Sequence, residues 1–156
     1  MKPTKQGQLL LRVMMQLVEK ELAGQGLRTF AAVVGRDREV QLLVPETIKE
    51  HPSLEEIDKY WIAQLRSKMA AGHCEAAGYC TDIGVATEDG QPITRGVLVF
   101  VEQPRANAEY RFYPYEKHQD STVTMGEPTV EETPLRLFAS EPPTDANKRS
   151  WWRSWR

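Results

Sequence analysis

Four side chains of metal-binding or thiol type lie close together in the middle of the chain: His73, Cys74, Cys80 and Asp82. Zinc sites usually contain a cysteine pair two to four residues apart and a second such pair later in the chain. Here five residues separate the only two cysteines. On one continuous strand the two would share a face but lie about 20 Å apart, at ~3.3 Å per residue. We therefore expect no metal site and interpret both cysteines as reduced structural residues.

Nucleophilic catalysis needs a nucleophile, a base within its reach and a group that orients the base. The three histidines, His51, His73 and His118, do not repeat at helical spacing, and no serine lies in a glycine-flanked elbow. The Gly24-Gln25-Gly26 step follows a predicted helix, whereas phosphate binds at the start of one. The sequence therefore predicts neither a catalytic set nor a cofactor.

An enzymatic alternative needs a cleft, which we place between the second predicted helix and the strands that follow it. The residues to test there are Tyr113, Tyr115, His118 and Glu127. Tyr110 and Phe112 would face the opposite side of the strand, because successive side chains alternate. Acidic residues surround this aromatic run, which favours packing within a sheet over the stacking of exposed bases.

The last nine residues, 148–156, differ in chemistry from the rest of the chain. They contain three of the four tryptophans, four cations and no acidic residue. Tryptophan and arginine dominate protein–protein hot spots. The same residues also suit an anionic membrane surface, single-stranded nucleic acid, or the protein's own apolar surface. The candidate binding residues are Lys148, Arg149, Trp151, Trp152, Arg153, Trp155 and Arg156.

The charge of the remaining chain narrows these alternatives. The formal net charge is -2, but without residues 148–156 there are 16 basic and 22 acidic side chains, a net charge of -6. An acidic body repels phosphate, so we do not expect nucleic-acid binding. We expect a protein partner bound through residues 148–156. Peripheral attachment to an anionic membrane and a homodimer are the alternatives.

The elements that must position these residues follow from periodicity and from turn signals. Apolar positions at helical spacing predict helices over 6–23 and from Ser53 to Gly72, with Ser53 and Glu56 as a capping box and Trp61 buried. Alternating or apolar runs predict strands over 27–34, 39–44, 75–86, 93–102, 109–115 and 121–125, and a weaker extended segment over 130–138.

This order, α-β-β-α-β-β-β-(β), predicts an α+β fold with two main helices and an antiparallel sheet of about five to six strands. A chain of 156 residues favours one domain. We place that domain at 1–138, a proline-containing flexible linker at 139–147 and the basic tail at 148–156.

The strand over 93–102 is apolar on both of its faces. Val97, Val99 and Val101 point one way, and Leu98 and Phe100 point the other. Both faces of the sheet must therefore be covered. Either the two helices lie on opposite faces, or both lie on one face and a second subunit covers the other. We expect the second arrangement.

Short motifs carry a resemblance over residues 27–138. They are Phe30-Ala31-Ala32-Val33, Ala70-Ala71-Gly72, Asp82-Ile83-Gly84-Val85, Val99-Phe100-Val101-Glu102, Tyr113-Pro114-Tyr115 and Gly126-Glu127. Together they resemble a group of small bacterial α+β proteins without an assigned activity. The element order is also similar to roadblock and profilin-like adaptor domains. The resemblance implies a compact α+β domain and brings no catalytic residues, because fold does not imply function.

The sequence thus favours a non-enzymatic binding or adaptor protein with a short recognition tail. A small enzyme and a toxin-neutralising protein are the alternatives. The mean hydropathy of -0.52 and the absence of a long apolar run argue against a membrane span. The polar first residues argue against a secretory signal. We expect a cytoplasmic protein, with peripheral membrane attachment as the alternative.

Overall fold

Capping side chains set the starts of both helices. The Thr4 hydroxyl accepts a hydrogen bond from the N–H of Gly7 at 3.0 Å. Ser53 and Glu56 bond to each other's backbone N–H, so the predicted capping box is confirmed. The computed structural model describes residues 4–46, 52–71, 74–86, 93–104 and 108–137. Within these ranges the helices are α1 (Lys5–Ala23) and α2 (Leu54–Ala71).

Seven strands form one antiparallel sheet, in the spatial order β2-β1-β3-β4-β5, with β6 and β7 both lying along the outer edge of β5. The sheet has one strand more than the upper end of our expectation, because the weaker extended segment predicted over 130–138 pairs with β5 as a seventh strand. The strands are β1 (Phe30–Gly35), β2 (Val40–Leu43), β3 (Cys74–Ala86), β4 (Ile93–Glu102), β5 (Ala108–Lys117), β6 (Val123–Met125) and β7 (Thr129–Thr133).

The two helices cover opposite faces of the sheet, so the expected arrangement with both helices on one face is wrong. The α1 residues Leu10, Met14 and Val18 pack with Val97, Val99 and Val101, and the α2 residues Trp61, Ile62 and Leu65 pack with Leu98 and Phe100. The chain therefore covers both apolar faces of β4 by itself. A second subunit is not needed for that purpose.

Residues 134–137 lie beside α2 and cover part of the same face of the sheet. Leu137 is buried and Leu135 is partly buried against the same cluster as Trp61. The side chain of Arg66 on α2 donates from Nε to the carbonyl oxygen of Arg136 at 2.7 Å. The segment after β7 is thus held against both the helix and the sheet.

A β-bulge in β3 corrects the expected placement of the cysteines. Val34 lies opposite Ala76, but the next residue of β1, Gly35, lies opposite Cys74, so Glu75 is the extra residue. The bulge reverses the alternation. Cys80 packs in the α1-side cluster and Cys74 against the α2-side cluster, so the two do not share a face.

Candidate functional site

Part of the predicted site lies outside the described residues. This is the case for the candidate binding residues of segment 148–156, the linker 139–147, Gly72 as the helix stop, and the histidines His51 and His73. Partner binding through residues 148–156 therefore stays a prediction.

Tyr113 and Tyr115 lie on the face of the sheet that α1 covers, where both pack against its apolar cluster. The hydroxyl of Tyr115 is 3.0 Å from both carboxylate oxygens of Asp82. Arg95 donates to the same carboxylate at 2.9 Å. Helix α2 lies on the opposite face, so it does not form a cleft with these tyrosines.

His118 and Glu127 are both exposed. The Nε2 atom of His118 lies 2.7 Å from the hydroxyl of Thr124, across the turn between β5 and β6. No hydrogen bond described in the structure joins either residue to Tyr113 or Tyr115. The structure thus places Tyr113 and Tyr115 together on the face that α1 covers, and His118 and Glu127 at exposed positions.

Neither cysteine forms a disulfide. Burial raises the pKa of the Cys80 thiol well above its ordinary value. Cys74 is half-buried, its thiol donates to the carbonyl oxygen of Ala76 at 3.1 Å, and burial raises its pKa too. Within the described ranges, no three His, Cys, Asp or Glu residues lie close enough together to hold a metal ion.

The structure instead places a buried polar cluster beneath α2, which we call the Asp58 cluster: Asp58, Tyr79, Tyr110 and Arg136. Oδ1 of Asp58 accepts hydrogen bonds from the hydroxyls of Tyr79 at 2.6 Å and Tyr110 at 2.9 Å. Nη1 of Arg136 lies 2.7 Å from Oδ2 of Asp58 and also donates to the Tyr110 hydroxyl. Four elements, α2, β3, β5 and the segment after β7, meet at one carboxylate.

Sheet register brings the two phenols together. Tyr79 lies opposite Phe100, and Phe100 lies opposite Tyr110, so the three rings form a row across β3, β4 and β5. Ring centroids are 5.7 Å apart between Tyr79 and Phe100 and 4.9 Å apart between Phe100 and Tyr110. Asp58 lies on the apolar face of α2, one turn before Trp61 and Ile62. This turn of the helix sets the carboxylate over the ends of the two phenols.

The electrostatics of the cluster keep both phenols protonated. Burial, followed by the charge of Asp58, raises the pKa values of Tyr79 and Tyr110 well above their ordinary value. Burial by itself would lower the pKa of Arg136, but Tyr110 and Asp58 together raise it. The tyrosines are therefore neutral donors, the carboxylate is the acceptor, and the guanidinium balances its charge.

Two neighbouring residues at the end of β4 hold segments from both ends of the described chain. The carboxylate of Glu102 accepts the backbone N–H of Arg136 at 2.5 Å and of Leu137 at 2.7 Å. The amide oxygen of Gln103 accepts the backbone N–H of Thr4 at 2.5 Å and its hydroxyl at 2.6 Å. Both side chains are fully buried.

Gly7 in the first turn of α1 makes this contact with Gln103 possible. A Cβ atom at position 7 would lie 2.1 Å from the side-chain oxygen of Gln103, far inside any real contact. Only glycine lets the start of α1 approach the buried amide this closely.

A cleft of about 230 Å³ lies at the turn between β1 and β2. Its lining combines apolar strand residues with Asp37, Glu39, Lys68 and Cys74. Its one thiol has a raised pKa and so remains protonated near neutral pH, which makes it a poor nucleophile. The residues of the Asp58 cluster do not line this cleft.

No family model, curated protein or solved structure matches this chain.

In the ranges that the structure describes, no helix is long and apolar enough to cross a membrane. The carboxylate of Asp58 accepts hydrogen bonds from two buried phenols and a largely buried guanidinium, so groups of the chain itself already occupy it. This arrangement fastens the chain after β7 to α2 and the sheet.

Sequence reasoning missed Asp58, Glu102 and Arg136. A signal was present for two of them. Asp58 interrupts the apolar face of α2, and Glu102 ends a strand that is apolar on both faces. A charged side chain at such a position must be paired, because burying an unpaired charge is costly. Arg136 carries no comparable signal, since its partner is 78 residues away in sequence.

Proposed function

We propose that this protein is a non-enzymatic binding protein, in which residues 4–137 act as a folded support and residues 148–156 bind a partner protein. The observation that carries the proposal is the double attachment of Arg136. Its guanidinium bonds to Asp58, and its backbone N–H bonds to Glu102. The chain is thus held at Arg136, twelve residues before Lys148 begins the tail.

The use of the buried polar groups supports a binding role over a catalytic one. Asp58, Tyr79, Tyr110 and Arg136 are bonded to one another, and Glu102 and Gln103 bond to backbone groups of the chain. An active site usually presents perturbed titratable groups to a cleft that substrate can enter. Here Tyr79 and Tyr110 are buried beneath α2 and Cys80 is buried on the α1 side, so none of these strongly perturbed groups lines the cleft.

The chemistry of the tail supports a protein as the partner. Indole and guanidinium groups bury large areas while keeping polar contacts, which makes them the usual anchors of protein interfaces. Four cations without an acidic neighbour favour a partner surface that is acidic where the tail docks. Membrane attachment remains an outcome of the test, because the same groups bind anionic lipid.

The test compares three immobilised proteins in affinity purification with quantitative mass spectrometry. They are the full chain, a variant with Trp151→Ala, Trp152→Ala and Trp155→Ala, and a control with Ser150→Ala and Ser154→Ala. The proposal expects a protein recovered in constant ratio by the full chain and the control but lost from the tryptophan variant. Equal recovery by all three would contradict it.

Two further measurements separate the remaining roles of the tail. A blue shift of tryptophan fluorescence and co-sedimentation with vesicles containing anionic phospholipid, absent in the tryptophan variant, would replace the partner protein with a membrane. A fall in melting temperature of several degrees on ending the chain at Asn147 would show that the tail covers the domain itself. Either result would contradict the proposal.

A further inference from the structure

The outer edge of β2 has no neighbour in the sheet of the described residues, because β2 pairs with β1 alone. Backbone groups on such an edge are free to pair with another strand. The N–H of Gly35 donates to the carbonyl oxygen of Glu39 at 3.1 Å. Since bonded positions alternate along an antiparallel pair, Gln41 and Leu43 also bond to β1. Val40 and Leu42 therefore direct their backbone groups to the open edge, and the same alternation continued one residue past β2 places those of Val44 there.

The same three residues place apolar side chains on one face of this edge. Val40 is partly buried against the α1-side cluster, whereas Leu42 is 47% and Val44 is 74% exposed. Helix α1 packs mainly on β1 and β3 and to a lesser extent on β4 and β6, and β2 is not among its main contacts. Two of the three exposed large hydrophobic residues in the described ranges thus lie side by side on one sheet edge.

The edge is complementary to itself. If two copies of β2 run antiparallel with Leu42 opposite Leu42, then Val40 of each copy lies opposite Val44 of the other. Both pairs are of the hydrogen-bonded type, because all three residues direct their backbone groups outward. The apolar side chains meet on one face, as favourable cross-strand pairs do.

A pair of opposite charges favours the same register of the two β2 strands. With Leu42 at the centre, Arg38 of one copy lies opposite Glu46 of the other, and the symmetry repeats this pair at the other end. Both side chains are exposed, and neither has an ion-pair partner among the described residues. The N–H of Glu46 donates to the hydroxyl of Tyr60 at 3.0 Å, which ties this residue to α2.

We propose that the protein forms a homodimer through antiparallel pairing of β2 with β2 of a second copy, in the register centred on Leu42. A two-fold interface requires a surface that complements itself, and this edge does so in backbone bonding, apolar contact and charge. The contact extends only from residue 38 to residue 46. The dimer is therefore of the small, concentration-dependent class of interfaces.

The first experiment measures the dissociation constant of the full chain by sedimentation velocity over a wide range of concentrations. Leu42→Lys is expected to weaken the dimer by about tenfold or more, because two ammonium groups would meet at its centre. Val130→Lys is the matched control, since Val130 is 45% exposed on β7 at the other side of the sheet. A monomer at every concentration, or equal weakening by both variants, would overturn the proposal.

A charge exchange tests the register independently of the apolar contact. Arg38→Glu alone places two acidic residues opposite each other, and Glu46→Arg alone places two cations together. Each single variant should weaken the dimer, and the variant with both changes should restore it. Failure of the double variant to recover would overturn the proposed register.

Hydrogen exchange of backbone amides distinguishes this dimer from association elsewhere. The amides of Leu42 and Val44 should become protected as the concentration rises, because their N–H groups point to the second copy. The amide of Gln41 should stay protected throughout, because it bonds to β1. Concentration-independent exchange at Leu42 in a sample that dimerises would place the contact on another surface and overturn the proposal.

Discussion

The guanidinium of Arg136 lies 2.7 Å from the carboxylate of Asp58, although 78 residues separate the two in sequence. Both side chains are largely buried, with exposed fractions of 17% and 7%. The contact joins the segment after the last strand to the first half of α2. Because Tyr79 on β3 and Tyr110 on β5 also donate to Asp58, breaking this pair affects four elements at once.

Removal of one partner of this ion pair should be strongly destabilising. Asp58→Asn leaves a buried guanidinium without its carboxylate, and we expect a loss of about 3–5 kcal/mol in the free energy of unfolding. Arg136→Met should cost a similar amount. The variant with both changes should cost much less than their sum, since no buried charge remains unpaired. Urea unfolding measures all three, and additive losses would contradict the coupling.

The buried phenols predict a loss of stability in alkaline solution. The pKa values of Tyr79 and Tyr110 are raised in the folded protein above the ordinary value of 10.0. The folded chain therefore holds these protons after the unfolded chain has released them. The free energy of unfolding is unaffected below about pH 10 and falls above it, by about 1.4 kcal/mol per pH unit for each tyrosine.

Tyr79→Phe provides the comparison for this pH dependence. The variant lacks one of the two ionisable groups, so its stability should fall less steeply above pH 10 than that of the unchanged protein. Unfolding in urea at a series of alkaline pH values measures both slopes. Equal slopes would show that Tyr79 does not contribute.

The two thiols should differ in reactivity. Cys80 is fully buried on the α1 side, so a thiol reagent should modify it only when the protein unfolds. Cys74 is half-buried near the cleft and should react slowly in the folded state. Cys74→Ala should remove the slow reaction, and Cys80→Ala should leave it unchanged. Rapid modification of both thiols in the folded protein would contradict their placement.

Trp61 should be among the most sensitive core positions. It is 1% exposed, and its indole N–H donates to the hydroxyl of Thr29 at 2.8 Å. Trp61→Ala removes this contact and leaves a cavity between α2 and the sheet, with an expected cost of ~3–5 kcal/mol. Val130→Ala, at an exposed position, is the control. A loss below about 1 kcal/mol for Trp61→Ala would contradict the packing of α2.

The sequence was sufficient to predict the order of helices and strands and the burial of Trp61, because both depend on local periodicity. The stripe through Ile57, Trp61 and Leu65 predicts which face of α2 is buried, and the structure confirms it. Because β4 is apolar on both faces, its sequence correctly predicts that both faces of the sheet are covered. It does not say which helix lies on which face, because the direction of each connection is not encoded in spacing.

The Asp58 cluster was not predicted because its members come from four separate elements. Two tyrosines on β3 and β5 share a face only after the register through Phe100 is known. The prediction that Cys74 and Cys80 share a face was wrong for a related reason, because the extra residue Glu75 reverses the alternation of side chains along β3. Local patterns predict faces, whereas pairings across the fold depend on register.

The contacts at the end of β4 have a consequence for the order of the chain. Thr4 bonds to Gln103, and Leu137 bonds to the adjacent Glu102, so the two segments are held by neighbouring residues at the end of β4. A short designed loop can therefore join residue 137 to residue 4 around that end of the sheet. New ends opened in the Gly35–Glu39 turn would then give a circular permutant with every strand pairing retained. Connectivity is in this sense separable from the fold, because the contacts of Glu102 and Gln103 with the two segments would be kept in the permuted chain.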